Sequence, residues 1–148
     1  MIETLYSPPD PVWEERIRAS FAKQGAMRHI GASIAHVTPG SCIINVPFRD
    51  ELAQQHGYFH AGITSAVADS AGGYAALTLF PANAEVLTVE FKINLIAPAH
   101  GDLLVAEANV VRSGRTLTIC AVDICVERDG ARIPCGLMQQ TLIRIDQK

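Results

Sequence analysis

The chain has 148 residues, the size of one ordinary domain, which argues against a two-domain enzyme with a separate cofactor module. Hydrophobic residues make up 49% and charged residues 18%, a balance that excludes a disordered chain and supplies a core without disulfide or metal staples. The formal charge is −3 and Lys and Arg are scattered singly, so no basic stripe exists to neutralise a run of phosphates, and a nucleic-acid partner is not expected.

Residues 1–24 read as an N-terminal extension with one short helix. After Pro8, Pro9 and Pro11, apolar Val12, Trp13, Ile17 and Phe21 alternate with Glu14, Glu15, Arg16 and Lys23, an amphipathic pattern over Val12 to Gln24. Asp10 before Pro11 resembles an N-cap with proline at the first helical position, and Gly25 is expected to stop the helix. No basic segment followed by an apolar stretch opens the chain, so a secretory signal is not expected.

From Met27 the period changes toward two. Met27 to Val37 and Cys42 to Phe48 read as a hairpin around Thr38-Pro39-Gly40-Ser41. A polar connection, Arg49 to Phe59, leads into Ala61 to Phe80, which has the length of a membrane span but carries Asp69 at its middle. A helix buried on all sides of a soluble domain fits better, ending near Pro81. Strand-like runs follow at Val86 to Ala97, Leu103 to Arg112, Thr116 to Glu127 and Ala131 to Ile145, separated by turn signals such as Ser113-Gly114 and Asp129-Gly130. The expectation is a six-strand antiparallel meander with one helix inserted after the second strand.

Alternation places Leu87, Val89, Phe91, Ile93 and Leu95 on the helix side and Thr88, Glu90, Lys92 and Asn94 on the other. In Thr116 to Glu127 both faces are apolar, Leu117, Ile119 and Ala121 against Cys120, Val122 and Ile124. One helix cannot cover both, which predicts an oligomer. The cysteines, Cys42, Cys120, Cys125 and Cys135, form no CxxC pair, and three lie in strand-like runs, so they read as reduced thiols of a cytoplasmic protein.

The chemically dense segment is Gln54 to Asp69. Histidines His56 and His60, glycines Gly57 and Gly62, and two amides precede a helix whose single charge lies nine positions past His60. First-turn amides lack intrahelical acceptors and carry the positive end of the helix dipole, and small Ala61 and Gly62 would let a carbonyl reach them, as in an oxyanion hole. Asp69 has only Ser65, Ala66, Gly72 and Gly73 as helical neighbours and no cation among them. It reads either as a structural carboxylate bonded across an interface or as a general base activating water. His56 and His60 stand four apart, as in a two-histidine metal site with Asp69, but Gly57 interrupts the turn and no HExxH occurs, so no metal is expected. His60 otherwise reads as a hydrogen-bonded residue fixing the loop. GxSxG, GxxxxGK[ST] and GxGxxG are all absent, which removes serine-elbow, nucleotide and hydride chemistry. Arg112-Ser113-Gly114-Arg115 reads as a solvated hairpin tip or as a phosphate contact.

The element order, His56-Gly57-Tyr58-Phe59-His60-Ala61-Gly62 and Asp69 resemble the PaaI-like hotdog-fold acyl-CoA thioesterases, over roughly residues 25 to 146. The resemblance implies an α+β fold, with a sheet of about six strands around a long buried helix, over a domain of residues 25–148. It also implies edge-to-edge dimers, often paired into tetramers. His60 matches the family histidine, Ala61 stands for the first glycine of His-Gly-Gly, Gly62 matches the second, and Asp69 falls at the acid. By the resemblance, the Ala61 amide polarises a thioester carbonyl while Asp69 of the facing subunit orients or deprotonates water. Gln54 stands where Asn is usual, and Thr88 where some relatives use a Ser near that water. His56, Gly57 and the hairpin Arg112, Ser113, Gly114 and Arg115 are candidate substrate contacts. The implied substrate is an acyl-CoA, with no cofactor and no membrane partner. An acyl-CoA-binding sensor on the same fold is the alternative. A hydroxyacyl-thioester dehydratase is less well matched, because His-Phe-Pro-Gly is missing.

Overall fold

The computed structural model describes residues 6–147; the first five residues of the N-terminal extension, and Lys148, lie outside them. The elements are α1 (Trp13–Ala22), α2 (Gly25–Ile30), β1 (Ser33–Thr38), β2 (Ser41–Pro47), a 3-10 turn (Asp50–Leu52), α3 (Ala61–Leu77), β3 (Ala84–Leu95), β4 (Leu103–Ser113), β5 (Leu117–Arg128) and β6 (Ala131–Asp146). The strands form one antiparallel sheet on which α3 packs, the hotdog arrangement that the resemblance implies.

The strand order corrects the expected meander. It runs β1-β2-β4-β5-β6-β3, so β3 lies at the edge beside β6 rather than between β2 and β4. The physical reason is α3, which packs against β2, β4, β5, β6 and β3 and so carries the chain across the sheet before β3 begins. Its surface is apolar all round, with Val67, Ala68, Ala71, Tyr74, Ala75 and Leu77 buried, and its small residues let the strands approach. Opposite it, every second residue of β5 is buried from Thr118 through Cys120, Val122 and Ile124 to Val126. The other face of β5 leaves Leu117 and Ala121 exposed.

Three local expectations fail near the N-terminus. Gly25 does not end a helix but begins α2, and Met27 to Ile30 is helical rather than strand, because Met27 and Ile30, three apart, bury one short helical face. Gly31, at φ 81°, ends α2 in the left-handed conformation. Asp10 is not the N-cap of α1, a position held by Val12.

Asp10 instead accepts from the Val12 N–H at 3.0 Å and from Arg16 Nε at 2.7 Å. Its side chain is 1% exposed. The same guanidinium donates to the carbonyls of Leu77 (3.3 Å), Phe80 (2.8 Å) and Ala84 (3.2 Å). It thereby satisfies carbonyls at and beyond the C-terminal end of α3, where helical acceptors are left over. Arg16→Ala strands a buried carboxylate and should cost about 3–5 kcal/mol in urea unfolding. The double change of Asp10→Asn with Arg16→Met should recover part of that loss.

Burial pushes the thiols of Cys42 and Cys120 up to about 12 and that of Cys135 to about 11, from an ordinary 9.0. Folding therefore keeps these groups neutral. The stability this gives is fully present below pH 9.0 and is lost as the pH rises toward about 12. The urea midpoint should fall over that interval. At pH 8 iodoacetamide should label Cys42 and Cys120 only in unfolded protein, as read by mass spectrometry, and rapid labelling of the native chain would contradict the burial argument.

Candidate functional site

The start of α3 is built by a short loop closed on itself. A bridge pairs Ala53 with Phe59, the Gln54 N–H donates to the Tyr58 carbonyl at 2.8 Å, and the Gly57 N–H donates to the Gln54 carbonyl at 3.0 Å. Gly57 supplies the positive φ of 81° that the turn needs, while the side-chain oxygen of Gln54 accepts from the His56 N–H. Buried Phe59 anchors the loop edge-to-face on Phe48 and donates its N–H to Ala99, and the His60 N–H donates to Leu52.

His60 then caps the helix. Its Nδ1 accepts from the Gly62 N–H at 2.8 Å, so the proton of the neutral ring resides on Nε2. Glycine at 62 eases this approach, since a Cβ would meet Nδ1 at a tight 3.0 Å. Among the described residues the Ala61 N–H has no acceptor, and Ala61 and Gly62 are exposed. The cap thus consumes one first-turn amide and leaves the Ala61 amide free to hold negative charge.

Asp69 lies eight residues further on, about 12 Å along the helix axis. It is half-buried, and among the described residues it pairs with no cation. Its Oδ1 accepts from the Thr88 hydroxyl at 2.6 Å and from Gln140 Nε2 at 2.5 Å. Strict alternation had put Thr88 on the far face. A β-bulge corrects this: register shifts between Thr88 and Glu90, so Thr88 sits opposite Leu142 and Phe91 opposite Gln140, all on the helix side. Leu87, opposite Ile143, and not Thr88, points away.

Asp69 and Thr88 border a cleft of about 420 Å³ that also includes Gly73 and Tyr74 of α3, Ser20 of α1 and Gln24 between α1 and α2. Gln24 Nε2 donates to the Tyr74 hydroxyl at 3.1 Å and Ser70 donates to Gln24 Oε1 at 3.3 Å, fastening α1 over the cleft. Gln54 and Ala61 border a different cleft, of about 530 Å³, with Leu95 and Ile96. One chain therefore brings Asp69 together with Thr88, and Ala61 together with His60, Gly62 and Gln54, but keeps the two sets apart.

His56 is exposed in the turn, not on one helical face with His60, and among the described residues no three His, Cys, Asp or Glu side chains converge as a ligand set. The hairpin Arg112-Ser113-Gly114-Arg115 lies at the other end of β4 from the start of α3. There the Val110 N–H donates to Gly40, whose own N–H donates to the Thr78 hydroxyl at the end of α3. Sequence reasoning missed Gln140, Ser20 and Gln24. For Gln140 a signal existed, because it occupies a polar slot in the inward series Met138, Gln140, Leu142.

Known proteins are similar to this chain in sequence and in fold. The thioesterase superfamily model matches residues 56–132, which holds His60, Ala61, Gly62, Asp69 and Thr88. Human acyl-coenzyme A thioesterase 13 is 27% identical over 124 residues, spanning 82% of this chain and 88% of that protein. The crystal structure of a thioesterase family protein from Silicibacter pomeroyi superposes with a TM-score of 0.89 at 42% identity, covering 90% of this chain and 98% of that one. The PaaI protein of the Escherichia coli phenylacetic acid degradation operon shares the fold at a TM-score of 0.80 and 16% identity, over 92% of this chain and 95% of its own. By sequence and by architecture, the chain belongs to the thioesterase superfamily and is a thioester hydrolase.

Proposed function

We propose that the chain hydrolyses acyl-CoA thioesters to a free acid and CoA, with water as the nucleophile and no metal or organic cofactor. The observation that carries this reading is the presence on α3 of a free helix-start amide, at Ala61, and of a carboxylate held by neutral donors, at Asp69. Water adds through oxygen to the thioester carbonyl and passes a proton to Asp69. The Ala61 N–H holds the resulting oxyanion, and collapse expels the CoA thiolate, which recovers the proton. The most buried thiols, held neutral to about 12, support water over a cysteine nucleophile. Relatives named as CoA-thioester hydrolases support CoA as the carrier. The hairpin Arg112 to Arg115 offers the cations for its phosphates, with His56 and Gly57 at the mouth of the site.

The site works between subunits of a cytoplasmic homodimer, or of a tetramer made of two dimers. Two features support this. About 12 Å between Ala61 and Asp69 on one helix is too far for both to reach one thioester carbon. And β3 is an edge strand with Leu87, Val89, Phe91 and Leu95 exposed, an edge that an antiparallel copy would cover.

Purified protein with short-chain, medium-chain and aromatic acyl-CoAs should release thiol, and Asp69→Asn should lower kcat by about 10²–10⁴-fold. Unchanged turnover in that variant would remove Asp69 from the mechanism, whereas tight binding without turnover across the panel would make the chain an acyl-CoA-binding protein. Elution as a monomer at micromolar concentration in light scattering would overturn the shared site.

Ala61→Pro removes the N–H at a position that tolerates proline, because Ala61 is the first helical residue and His60 is already extended at ψ 138°. Alone it should be inactive yet folded. Refolded together with Asp69→Asn chains, it should regain turnover, since each hybrid dimer contains one intact site. No recovery in hybrids would place the whole site within one chain.

A further inference from the structure

Gln140 is a primary amide with no exposed surface, inside the sheet and directly beneath α3. Its Nε2 donates to Asp69 Oδ1 at 2.5 Å, to the Asp69 carbonyl at 3.1 Å and to the Thr88 hydroxyl oxygen at 3.3 Å. Its Oε1 meets no donor at all. A buried amide oxygen without a partner burdens the fold, and an unbranched apolar side chain of the same length would fill the space without that burden. The amide also needs a gap in α3. A Cβ on Gly72 would lie 1.8 Å from Oε1, so a helix-weakening glycine is present where the amide must fit. What offsets these costs is the set of bonds centred on Asp69: its carboxylate at the shortest distance, its carbonyl, and the Thr88 hydroxyl that donates to the same carboxylate.

We infer that Gln140 is the positioning residue for Asp69, fixing which carboxylate oxygen takes the proton from water; this rests on Asp69 being the base. Thr88 and Gln140 both donate to Oδ1. With that oxygen doubly occupied, Oδ2 is left as the proton acceptor, and Asp69 lines the cleft.

The test replaces Gln140 with Met, which keeps length and removes both the donor and the orphaned oxygen. The expected result is a thermal midpoint equal to or above that of the parent, with kcat lowered about tenfold while KM for the acyl-CoA stays within twofold. Gln140→Glu, able to donate only when protonated, should retain activity only toward lower pH. In an Asp69→Asn background Gln140→Met should cause no further loss, because it acts through the carboxylate. Parent-like kcat in a folded Gln140→Met, or a loss that falls on KM rather than kcat, would overturn the proposal. So would a Gln140→Met that fails to fold, since the amide would then serve the sheet. If Asp69→Asn itself keeps full turnover, the failure belongs to the assignment of the base and takes this inference with it. An inactive Asp69→Asn beside an unaffected Gln140→Met refutes Gln140 alone.

Discussion

A single carboxylate on a helix that is apolar on every side sets the terms for the rest of this fold. α3 must be covered by strands because almost nothing on its surface suits water, yet Asp69 requires polar company wherever the strands touch it. No helical neighbour can supply that company. The donors come from β3 and β6, the last two strands of the sheet on that side, and each needs a local irregularity. The bulge between Thr88 and Glu90 turns a hydroxyl inward, and Gly72 opens the helix surface for the amide of Gln140.

The same geometry separates the two halves of the chemistry. His60 spends its ring nitrogen on Gly62 and thereby determines which first-turn amide remains available, while Asp69 stands two turns deeper, beside the edge strand. A helix cannot bend back on itself to unite them. In the proposed function, pairing of two copies unites them, and β3, the strand that steadies the carboxylate through Thr88, is also the strand with an open edge. Steadying the carboxylate and exposing the edge are thus two tasks of one strand.

Much of this was legible from residue order. The buried helix, its start at Ala61, the isolated acid and six strands all follow from composition, periodicity and turn residues, because those signals are local. The failures are non-local. Nothing between Pro81 and Ala84 says that β3 will pair with β6 rather than with β2, since that is decided by where α3 delivers the chain. Thr88 was assigned to the wrong face because one extra residue at a bulge reverses alternation, and Val89, being apolar, hides the slip. Met27 and Ile30 fit a strand or a single helical turn equally well, and Gly31 decides for the helix. Gln140 alone carried a visible warning, a polar side chain in an inward series, whose meaning needed the partner 71 positions away.

Arg16 links two parts of the molecule that could otherwise vary separately. By fastening α1 to the end of α3 it sets the height at which Ser20 and Gln24 overhang the cleft, although neither helix end belongs to the sheet. The wall of the cleft on that side is therefore an attached part, carried by a segment that precedes all six strands. Changing the length or pitch of α1 would remodel the room beside Asp69 and leave the strand register untouched. In an engineering sense the fold separates a carboxylate with fixed donors from an exchangeable gauge of what fits next to it.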